Sequence, residues 1–319
     1  MNSLPSLRHL ELVDLMLDSF EAVHLLDDVC FNLCTQMERL TIINATKYYC
    51  PLLHLTTFVN LKVIVMQNKY YYCPLLHLTT IVNLKVLVVS PQNIGDDVIA
   101  TLADSNLADL HIVQNRYTPV DVVPVSRQVW KRCKFRVHLG VSSRREKSLL
   151  IQEGARVASI VYVSPQIKLQ ADSISRLIEQ YKTTLQVLGH CCLPRYHQPK
   201  SFHDRMDSWL LLLCRQAPNL DTLMIRERIS TATCLLIAHA RPTLSRLYIR
   251  RNAVILRCDW SYNPEWDDEF YDWLKTTSQS YEETEKQIGI LLKQARWKMM
   301  CDKEYKSIRQ EFVEFGRTP

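Results

Sequence analysis

Glycine is scarce in this chain, with only 6 glycines among 319 residues. Parallel-sheet folds that bind nucleotides place glycine-rich turns against the phosphates, because a side chain there would block the close approach of the backbone. The sequence contains no Walker loop, dinucleotide-binding fingerprint, nucleophile elbow or zinc-protease helix motif. We therefore expect a protein with no catalytic activity, no cofactor and no bound metal.

Long apolar runs are also missing, since none approaches the roughly 18 residues of a membrane-spanning helix. The first residues, MNSLPSLRHLELVDLML, lack both the basic start and the cleavage site of a secretory signal. The 11 cysteines follow no disulfide-framework spacing, and several, such as Cys30, Cys34, Cys214 and Cys234, lie inside apolar runs. Free thiols in a reducing compartment fit this pattern, so we expect a cytoplasmic and/or nuclear protein without membrane contact.

A near-identical internal repeat lies at residues 47 to 88, where KYYCPLLHLTTFVNLKV is followed by KYYYCPLLHLTTIVNLKV. Cys50 matches Cys73 and Asn60 matches Asn83, so the copies are 23 residues apart. Self-similarity at a period of roughly 20–29 residues with L-x-x-L-x-L spacing is typical of a leucine-rich repeat. In that architecture each unit buries its apolar face against its neighbours.

The same apolar spacing occurs outside the duplicated units, which favours a stacked repeat over an ordinary doubly wound sheet. The triplets are Leu7/Leu10/Leu12, Met37/Leu40/Ile42, Phe58/Leu61/Val63, Ile81/Leu84/Val86, Leu107/Leu110/Ile112, Val157/Ile160/Tyr162, Leu220/Leu223/Ile225 and Leu244/Leu247/Ile249. Asparagines that follow such triplets are Asn44, Asn115 and Asn252. Each triplet would point into the core from a short strand that pairs in parallel with its copies.

Strand-like and helix-like segments alternate along the chain, which predicts an α/β fold with a parallel sheet. Strands are predicted at residues 7–13, 39–43, 60–63, 83–86, 108–113, 135–141, 157–163, 185–189, 220–226 and 244–250. Helices are predicted at residues 19–35, 94–104, 126–133, 143–152, 171–182, 203–216 and 230–240. We therefore predict an irregular leucine-rich-repeat solenoid over residues 1–257, a horseshoe with its parallel strands on the concave side and its helices on the convex side.

The C-terminal segment, residues 258–319, differs from the preceding chain in charge and aromatic content. The chain before Asp259 carries a net charge of +10, whereas Asp259 and the residues after it carry −4. The acidic residues 267–269 occupy the predicted first turn of a helix, where the helix dipole favours negative charge. We expect a C-terminal helical cap, and the alternative is a face that docks a partner. The aromatic residues of this cap or docking face are Trp260, Trp266, Phe270 and Trp273.

Two patterns resemble sites of metal or acid–base chemistry. The first consists of the possible zinc ligands His190, Cys191, Cys192, His197 and His203 in the loop HCCLPRYHQPKSF. Their spacing lacks two C-x-x-C pairs, and adjacent cysteines rarely bind one ion, so we predict an ordinary loop. The second pattern is the acidic run 267–269. Its carboxylates are consecutive rather than opposed across a cleft, so we predict helix capping and no catalysis.

Basic residues form three clusters, and the third lies beside the last predicted strands. The clusters are Lys131, Arg132, Lys134 and Arg136; Arg144, Arg145 and Lys147; and Arg226, Arg228, Arg246, Arg250, Arg251 and Arg257. Concave solenoid faces bind partners, so residues between the apolar strand positions are candidate substrate contacts. These candidates are Arg226, Arg246, Tyr248 and Arg250. Nucleic acid is an alternative partner of the basic body, although aromatic side chains are not interleaved with its charges.

The segment ILRCDWSYNPEWDDEFYDWLKTTSQSYEETEKQI, followed by DKEYKSI at residues 302–308, resembles the end of the F-box only protein 39 and 33 group. The segments NLKVLVV, APNLDTLMIRERIS and RPTLSRLYIRRNAVILRCDW are similar to the leucine-rich-repeat-like body of that group. The resemblance covers most of the chain and is strongest after residue 215. It implies a substrate receptor of Skp1–cullin–F-box ubiquitin ligases, which binds a protein for ubiquitination and does no bond chemistry itself.

The chain departs from this group in its doubled P-L-L-H-L-T-T unit and at its N-terminus. An F-box opens with a Leu-Pro pair and a helix that contacts Skp1, whereas Leu4-Pro5 is followed here by LRHLELV, a predicted strand. We therefore expect no F-box in these residues, and Skp1–Cul1 as a partner only if an F-box is supplied or cryptic. An F-box-less scaffold or decoy on the same repeat body is the alternative.

Overall fold

The structure, a computed structural model, describes residues 6–13, 31–43, 57–67, 81–143 and 147–313. The described residues up to 143, together with 149–157, form one compact unit, and residues 147–148 with 158–313 form a second. The predicted division at residue 258 therefore falls inside the second unit. Most of the duplicated segment, Asn44, Arg144 and Arg145 lie outside the described residues.

Six described strands build the first unit, and they pair in parallel, each with the next in the chain. They are β1 (His9–Val13), β2 (Arg39–Ile43), β3 (Val63–Gln67), β4 (Val86–Val89), β5 (Asp109–Asn115) and β6 (Arg136–Ser142). Runs of β-branched residues such as VIV and VLVV favour strands that are buried on both faces.

The apolar triplets predicted in the two duplicated units are wrong by three positions. Ile64 and Met66 are fully buried and pair with the buried positions of β2, whereas Val63 is only partly buried on the other face. The inward triplet is therefore Leu61/Ile64/Met66 rather than Phe58/Leu61/Val63. The second copy of the duplicated segment shows the same shift, with Leu84/Leu87/Val89 in place of Ile81/Leu84/Val86. Pairing of Val63 with Arg39 sets this register, and a one-residue slip would reverse every side chain.

Several described strands of both compact units begin with the same backbone contact to the strand before them. The carbonyl oxygen of Lys62 accepts the N–H groups of Lys85 and Val86 at 2.9 and 3.0 Å. In the second unit the carbonyl oxygen of Gln186 accepts the N–H groups of residues 221 and 222 at 2.8 and 2.9 Å. The recurrence satisfies the backbone groups at the strand starts in the same way in both units.

Asparagine side chains just before four strands add a second contact between consecutive segments. The Nδ2 atoms of Asn60, Asn83, Asn106 and Asn219 donate to the carbonyl oxygens of Thr35, Val59, Val82 and Thr183, at 2.6, 2.7, 3.2 and 2.6 Å. Sequence spacing points instead to asparagines at strand ends. Of those, Asn115 bonds the Ser90 hydroxyl at 3.0 Å, and Asn252 lies in a short 3-10 turn.

Residues 31–33, between β1 and β2, are helical, and two further short helices connect strands of the first unit, α1 (Asp96–Leu102) and α2 (Arg127–Trp130). The prediction of a helix at residues 143–152 is wrong for its described part, because residues 147–152 are not helical. Gln152 is buried there, and its Oε1 accepts the N–H of Val125 at 3.1 Å. The segment is therefore held by side-chain bonds to a neighbouring loop.

The second unit contains four parallel strands in the order β7 (Val157–Tyr162), β8 (Val187–His190), β9 (Thr222–Ile225) and β11 (Arg246–Ile249). β10 (Ile229–Ser230) and β12 (Val254–Ile255) form a separate parallel pair. The predicted triplets at residues 157–162, 220–225 and 244–249 are all buried, so this part of the apolar pattern is confirmed. The α/β class of the fold is confirmed as well.

Six described helices complete the second unit. They are α3 (Ala171–Tyr181), α4 (Asp207–Gln216), α5 (Thr231–Ala240), α6 (Asp268–Thr277), α7 (Tyr281–Leu291) and α8 (Asp302–Val313). Eight consecutive residues of α5 are buried, and the helix contacts α4, α6 and α7. A helix that is apolar on all sides belongs in a core, so α5 is the centre of the helical layer.

Candidate protein-interaction site

Three of the predicted substrate contacts lie together on one side of β11. Arg246, Tyr248 and Arg250 alternate with Leu247 and Ile249, which are buried. Successive side chains of a strand point to opposite faces, so the two charged residues and the tyrosine share the face away from the core. The strand pattern placed these three residues on a common face, and the structure brings them together.

The C-terminal helix α8 lies against this face of β11. The Tyr248 hydroxyl donates to Oε2 of Glu311 at 3.0 Å, and the guanidinium carbon of Arg246 lies 5.4 Å from the ring centroid of Phe312. Arg250 donates through Nε and Nη2 to both carboxylate oxygens of Asp302, at 2.7 and 3.1 Å. That two-pronged bond lowers the pKa of Asp302 below its ordinary value. The face is therefore occupied by the chain's own helix.

Two buried side chains anchor α8. Tyr305 and Ile308 are fully buried, and the Tyr305 hydroxyl donates to the carbonyl oxygen of His190 at 2.7 Å. Just before the helix, the N–H of Met300 bonds the carbonyl oxygen of Ile249 at 2.8 Å. Buried aromatic area and satisfied polar groups make α8 an integral part of the second unit.

Arg226 is the predicted contact that the structure places elsewhere, because its side chain is fully buried. Nη1 donates to the carbonyl oxygens of Ser164 and Cys192, both at 3.1 Å, and Nη2 donates to that of Ile167. The Tyr196 ring centroid lies 5.6 Å from the guanidinium carbon. A buried charge is tolerated only with such partners. Arg226 therefore ties loops together, and the prediction that it faces a partner is corrected.

A buried acid–base pair that sequence reasoning missed lies beside Arg226. Nε2 of His190 is 3.4 Å from Oε1 of Glu227, and the Tyr162 ring stacks on the imidazole with centroids 4.6 Å apart. Burial, together with the Arg226 charge, holds the pKa of His190 well below its usual range. Burial raises the pKa of Glu227, although Arg226 opposes that rise. The only sequence signal for this pair is His190 itself, the first residue of the segment HCCLPRYHQPKSF.

A small cavity of about 120 Å³ borders Glu227. Its other walls include Lys168, Tyr196, Gln198 and Arg228. Small-molecule sites usually measure roughly 300–1,000 Å³, so this cavity is large enough for one side chain but not for an ordinary substrate. This cavity is therefore too small to bring an ordinary substrate to His190 and Glu227.

The loop that contains the possible zinc ligands does not gather them. Cys191 is buried, and burial raises the pKa of its thiol to about 12, which disfavours the thiolate that metals bind. His190 points to Glu227, whereas the His203 ring lies 5.9 Å from the Phe202 ring, measured between centroids. Over the residues that the structure describes, no group of three or more His, Cys, Asp or Glu side chains is arranged to hold a metal ion.

The acidic run at residues 267–269 caps a helix, as predicted. Asp267 precedes α6, and its Oδ1 accepts the N–H of Phe270 at 2.7 Å. Asp268 and Glu269 occupy the first turn of the helix. These positions satisfy an open backbone donor and complement the helix dipole.

Aromatic side chains of α6 and the residues before it form a continuous partly exposed row. Ring centroids are 5.6 Å apart for Trp266 and Phe270, and 5.4 Å apart for Phe270 and Trp273. Tyr271 stacks on Trp266 at 6.0 Å and meets Tyr262 edge-on at 5.3 Å. We call these five residues the aromatic row. Large rings that remain partly exposed are typical anchors of protein interfaces.

Trp260 is separate from the aromatic row and has a structural role. Its Nε1 donates to Oγ1 of Thr233 at 2.8 Å, and its ring meets that of Phe202 at 5.3 Å. Thr233 in turn donates to Oδ1 of Asp207 at 2.5 Å, and Arg205 bonds the other oxygen of that carboxylate at 2.9 Å. The buried network fixes the start of α5.

Several arginines of the first and third basic clusters are neutralised by nearby carboxylates. Lys131 and Lys134 are exposed, Arg132 pairs with Asp104 at 3.4 Å, and Arg136 bonds Asp109 through two nitrogens at 2.8 and 3.0 Å. In the third cluster Arg251 approaches Glu285 at 3.3 Å, and Arg257 approaches Asp259 at 2.9 Å. Paired arginines leave less positive charge for a phosphate backbone.

A polar cluster on β5 and β6 was also missed by sequence reasoning. Oδ1 of Asp109 lies 2.9 Å from Nε2 of His138, whose ring stacks on that of His111 with centroids 4.3 Å apart. Burial works to raise the pKa of Asp109, but the bonds from His138 and Arg136 outweigh it and lower the pKa to about 2. Burial and the neighbouring His138 lower the pKa of His111 to about 3. His111 and His138 lie opposite each other on the neighbouring strands β5 and β6, and this pairing brings their rings into contact.

Comparison with known proteins found no family model that matches this chain and no curated protein that matches it. Among the helices that the structure describes, none has the length and apolar content needed to cross a lipid bilayer. The cysteines within the described residues are free thiols.

Proposed function

We propose that this chain is the substrate-recognition body of an F-box-type adaptor for a Skp1–cullin–F-box ubiquitin ligase. It binds a protein and does no catalysis of its own. The observation that carries the proposal is the recurrent ladder of parallel strands in chain order, which agrees with the repeat-like body that the resemblance implies. A stacked-repeat body is a binding scaffold, because each unit adds surface without creating a catalytic pocket.

The same proposal specifies the fold as an irregular leucine-rich-repeat solenoid. Three features support it: the buried apolar triplets, the shared backbone contact at strand starts, and the four asparagine bonds. Strand spacing is uneven, since Val63 pairs with Val86, 23 residues later, whereas Val187 pairs with Thr222, 35 residues later. Longer units carry longer helices and loops, which makes the solenoid irregular.

The mechanism is positioning. The receptor holds its substrate near the ubiquitin-loaded conjugating enzyme. This raises the effective concentration of the substrate at that enzyme, so that ubiquitin transfer no longer depends on a chance encounter in solution. Because α8 covers Arg246, Tyr248 and Arg250, we assign substrate contact in the second unit to the aromatic row. The row offers partly exposed rings that can be buried by a partner.

Ubiquitin transfer tests the proposal. The chain is expressed behind an intact F-box, and behind the same F-box with its Skp1-contacting residues changed. Proteins that co-purify with both forms are analysed for ubiquitin remnants. We expect at least one protein to bind both forms equally and to gain ubiquitin only with the intact F-box. If every shared partner has the same ubiquitin content with both forms, the adaptor proposal is wrong and the scaffold or decoy alternative is favoured.

A second candidate, nucleic-acid binding, is favoured by the exposed side chains of Lys131 and Lys134. Phosphate contacts make such binding fall steeply as salt rises. Binding of mixed-sequence RNA or DNA at low salt would support this function if replacement of both lysines abolished the binding. Absence of binding at low salt would exclude it.

A further inference from the structure

The aromatic row is bordered by carboxylates. Glu265, Asp268, Glu269 and Asp272 are exposed and lie among its residues in the sequence. Within the described ranges none of the four forms an ion pair with a lysine, arginine or histidine. Exposed, unneutralised charge beside apolar rings creates a strongly negative surface that selects for a positive partner.

Aromatic rings reinforce this selection, because the face of a ring is negative and attracts cations. The molecule already contains one such contact at the row: Nζ of Lys275 lies 4.1 Å from the ring centroid of Tyr271. The remaining rings of the row pack against each other or against His239, whose ring centroid is 4.8 Å from that of Phe270. On α6, Asp268 is three positions before Tyr271 and Glu269 is four positions before Trp273, so in each pair a carboxylate and a ring are neighbours on the helix surface.

We propose that the aromatic row, with Glu265, Asp268, Glu269 and Asp272, binds a lysine- or arginine-bearing segment of a protein partner. This inference deepens the proposed function, on which it rests, by naming the chemistry of the recognised substrate. Arginine suits the site better than lysine, because its planar guanidinium stacks on rings while it donates two parallel bonds to a carboxylate.

Charge excludes other occupants. Nucleic acid and anionic lipid surfaces would bring phosphates against the four carboxylates, and like charges at an interface disfavour binding. A purely apolar segment would bury the rings but leave the carboxylates desolvated without partners, which costs affinity. A basic protein segment satisfies both parts of the surface.

The test uses fluorescence anisotropy with the full chain and a labelled decapeptide of alternating glycine and arginine. We expect saturable binding and quenching of tryptophan emission, since Trp266 and Trp273 lie in the row. A peptide of alternating glycine and glutamate should not bind. The double variant Glu269→Lys with Asp272→Lys should weaken binding about tenfold or more, because it removes two carboxylates that attract the arginine side chains of the peptide.

A matched control separates local recognition from net charge. The double variant Asp172→Lys with Glu179→Lys makes the same charge change at exposed residues of another helix of the second unit, α3, and it should bind the arginine peptide as the parent does. Trp273→Ala should weaken binding and Trp273→Phe should restore most of it, with unfolding curves confirming that each variant is folded.

Three results would overturn the inference: no binding of the arginine peptide, equal binding of the glutamate peptide, or equal weakening by the two charge-reversal pairs. The ubiquitin-transfer experiment has a separate readout. If ubiquitin transfer persists in the Glu269→Lys/Asp272→Lys chain, the row is not the substrate site and the adaptor proposal stands. If the peptide binds as expected but no partner gains ubiquitin, the basic-segment inference stands and the adaptor proposal fails.

Discussion

The hydroxyl of Tyr305 donates a 2.7 Å hydrogen bond to the carbonyl oxygen of His190, although the two residues are 115 positions apart. This bond joins α8 to the end of β8. It lies in a fully buried setting, where a satisfied polar pair has a larger effect than at an exposed site. The C-terminal helix is therefore fixed by its buried side and presents its other side outward.

We expect Tyr305→Phe to lower the free energy of unfolding by about 1–2 kcal/mol, since it removes one buried hydrogen bond and leaves the carbonyl unpaired. Tyr305→Ala should cost about 3–5 kcal/mol because it also leaves a cavity. Urea unfolding measures both. Tyr248→Phe is the matched control: it removes the exposed bond to Glu311 and should change stability by no more than about 0.5 kcal/mol. Equal effects of the two Tyr→Phe changes would mean that α8 is not anchored at Tyr305.

Arg226→Met should destabilise the chain by about 3–5 kcal/mol, because three carbonyl oxygens and the neighbouring Glu227 lose a buried charged partner. Arg246→Met, at an exposed position on β11, should cost less than about 1 kcal/mol. Thermal and urea unfolding give the comparison. If Arg226→Met folds with unchanged stability, the buried role assigned to Arg226 is incorrect.

The asparagine bonds test the repeat interpretation. Asn60→Ala and Asn219→Ala should each lower stability by about 0.5–1.5 kcal/mol, because the carbonyls of Thr35 and Thr183 lose their side-chain donor. Asn60→Asp keeps the size but removes the donor, so it should be at least as destabilising as Asn60→Ala. A neutral Asn60→Asp would show that the bond does not stabilise the stack.

Acidification should destabilise the first unit through His111. Its pKa in the folded chain is about 3, below the ordinary value of 6.5, because burial and the neighbouring His138 disfavour the charged ring. The unfolded chain therefore takes up this proton first. The contribution of His111 to stability is constant above about pH 6.5, and between pH 6.5 and 3 the ionisation of this residue in the unfolded chain lowers stability by up to about 1.4 kcal/mol per pH unit.

His111→Phe should flatten part of that slope while keeping a ring against His138. His203→Phe removes a histidine from an exposed position and serves as the control. Unfolding midpoints measured at several pH values give the slopes. An unchanged slope in His111→Phe would contradict the assignment.

Sequence patterning predicted the parallel α/β class and most strand positions, since apolar triplets directly record which side of a strand is buried. It failed at the duplicated units because the run NLKVIVMQ contains too many consecutive apolar residues for spacing alone to fix the register. Pairing of Val63 with Arg39, a long-range contact, decides that register.

The candidate site was harder to predict. Alternation along a strand correctly grouped Arg246, Tyr248 and Arg250, yet it could not show that α8 covers them, because α8 is more than fifty residues away in sequence. Arg226 follows the buried Ile225, and only the loop carbonyls around its guanidinium explain why a charged residue is buried there. Helical spacing grouped Trp266, Phe270 and Trp273 of the aromatic row, whereas Tyr262 and Tyr271 were not singled out from the sequence.

Skp1 binding tests most directly the proposal that these residues are the recognition body of a ligase adaptor and bind Skp1–Cul1 only when an F-box is supplied. Purified Skp1–Cul1 is passed over the immobilised chain, and over the same chain carrying an added F-box. We predict that Skp1–Cul1 is retained only by the F-box fusion. Retention by the unmodified chain at comparable amounts would contradict this prediction, because a divergent Skp1-contacting element would then lie within residues 1–60.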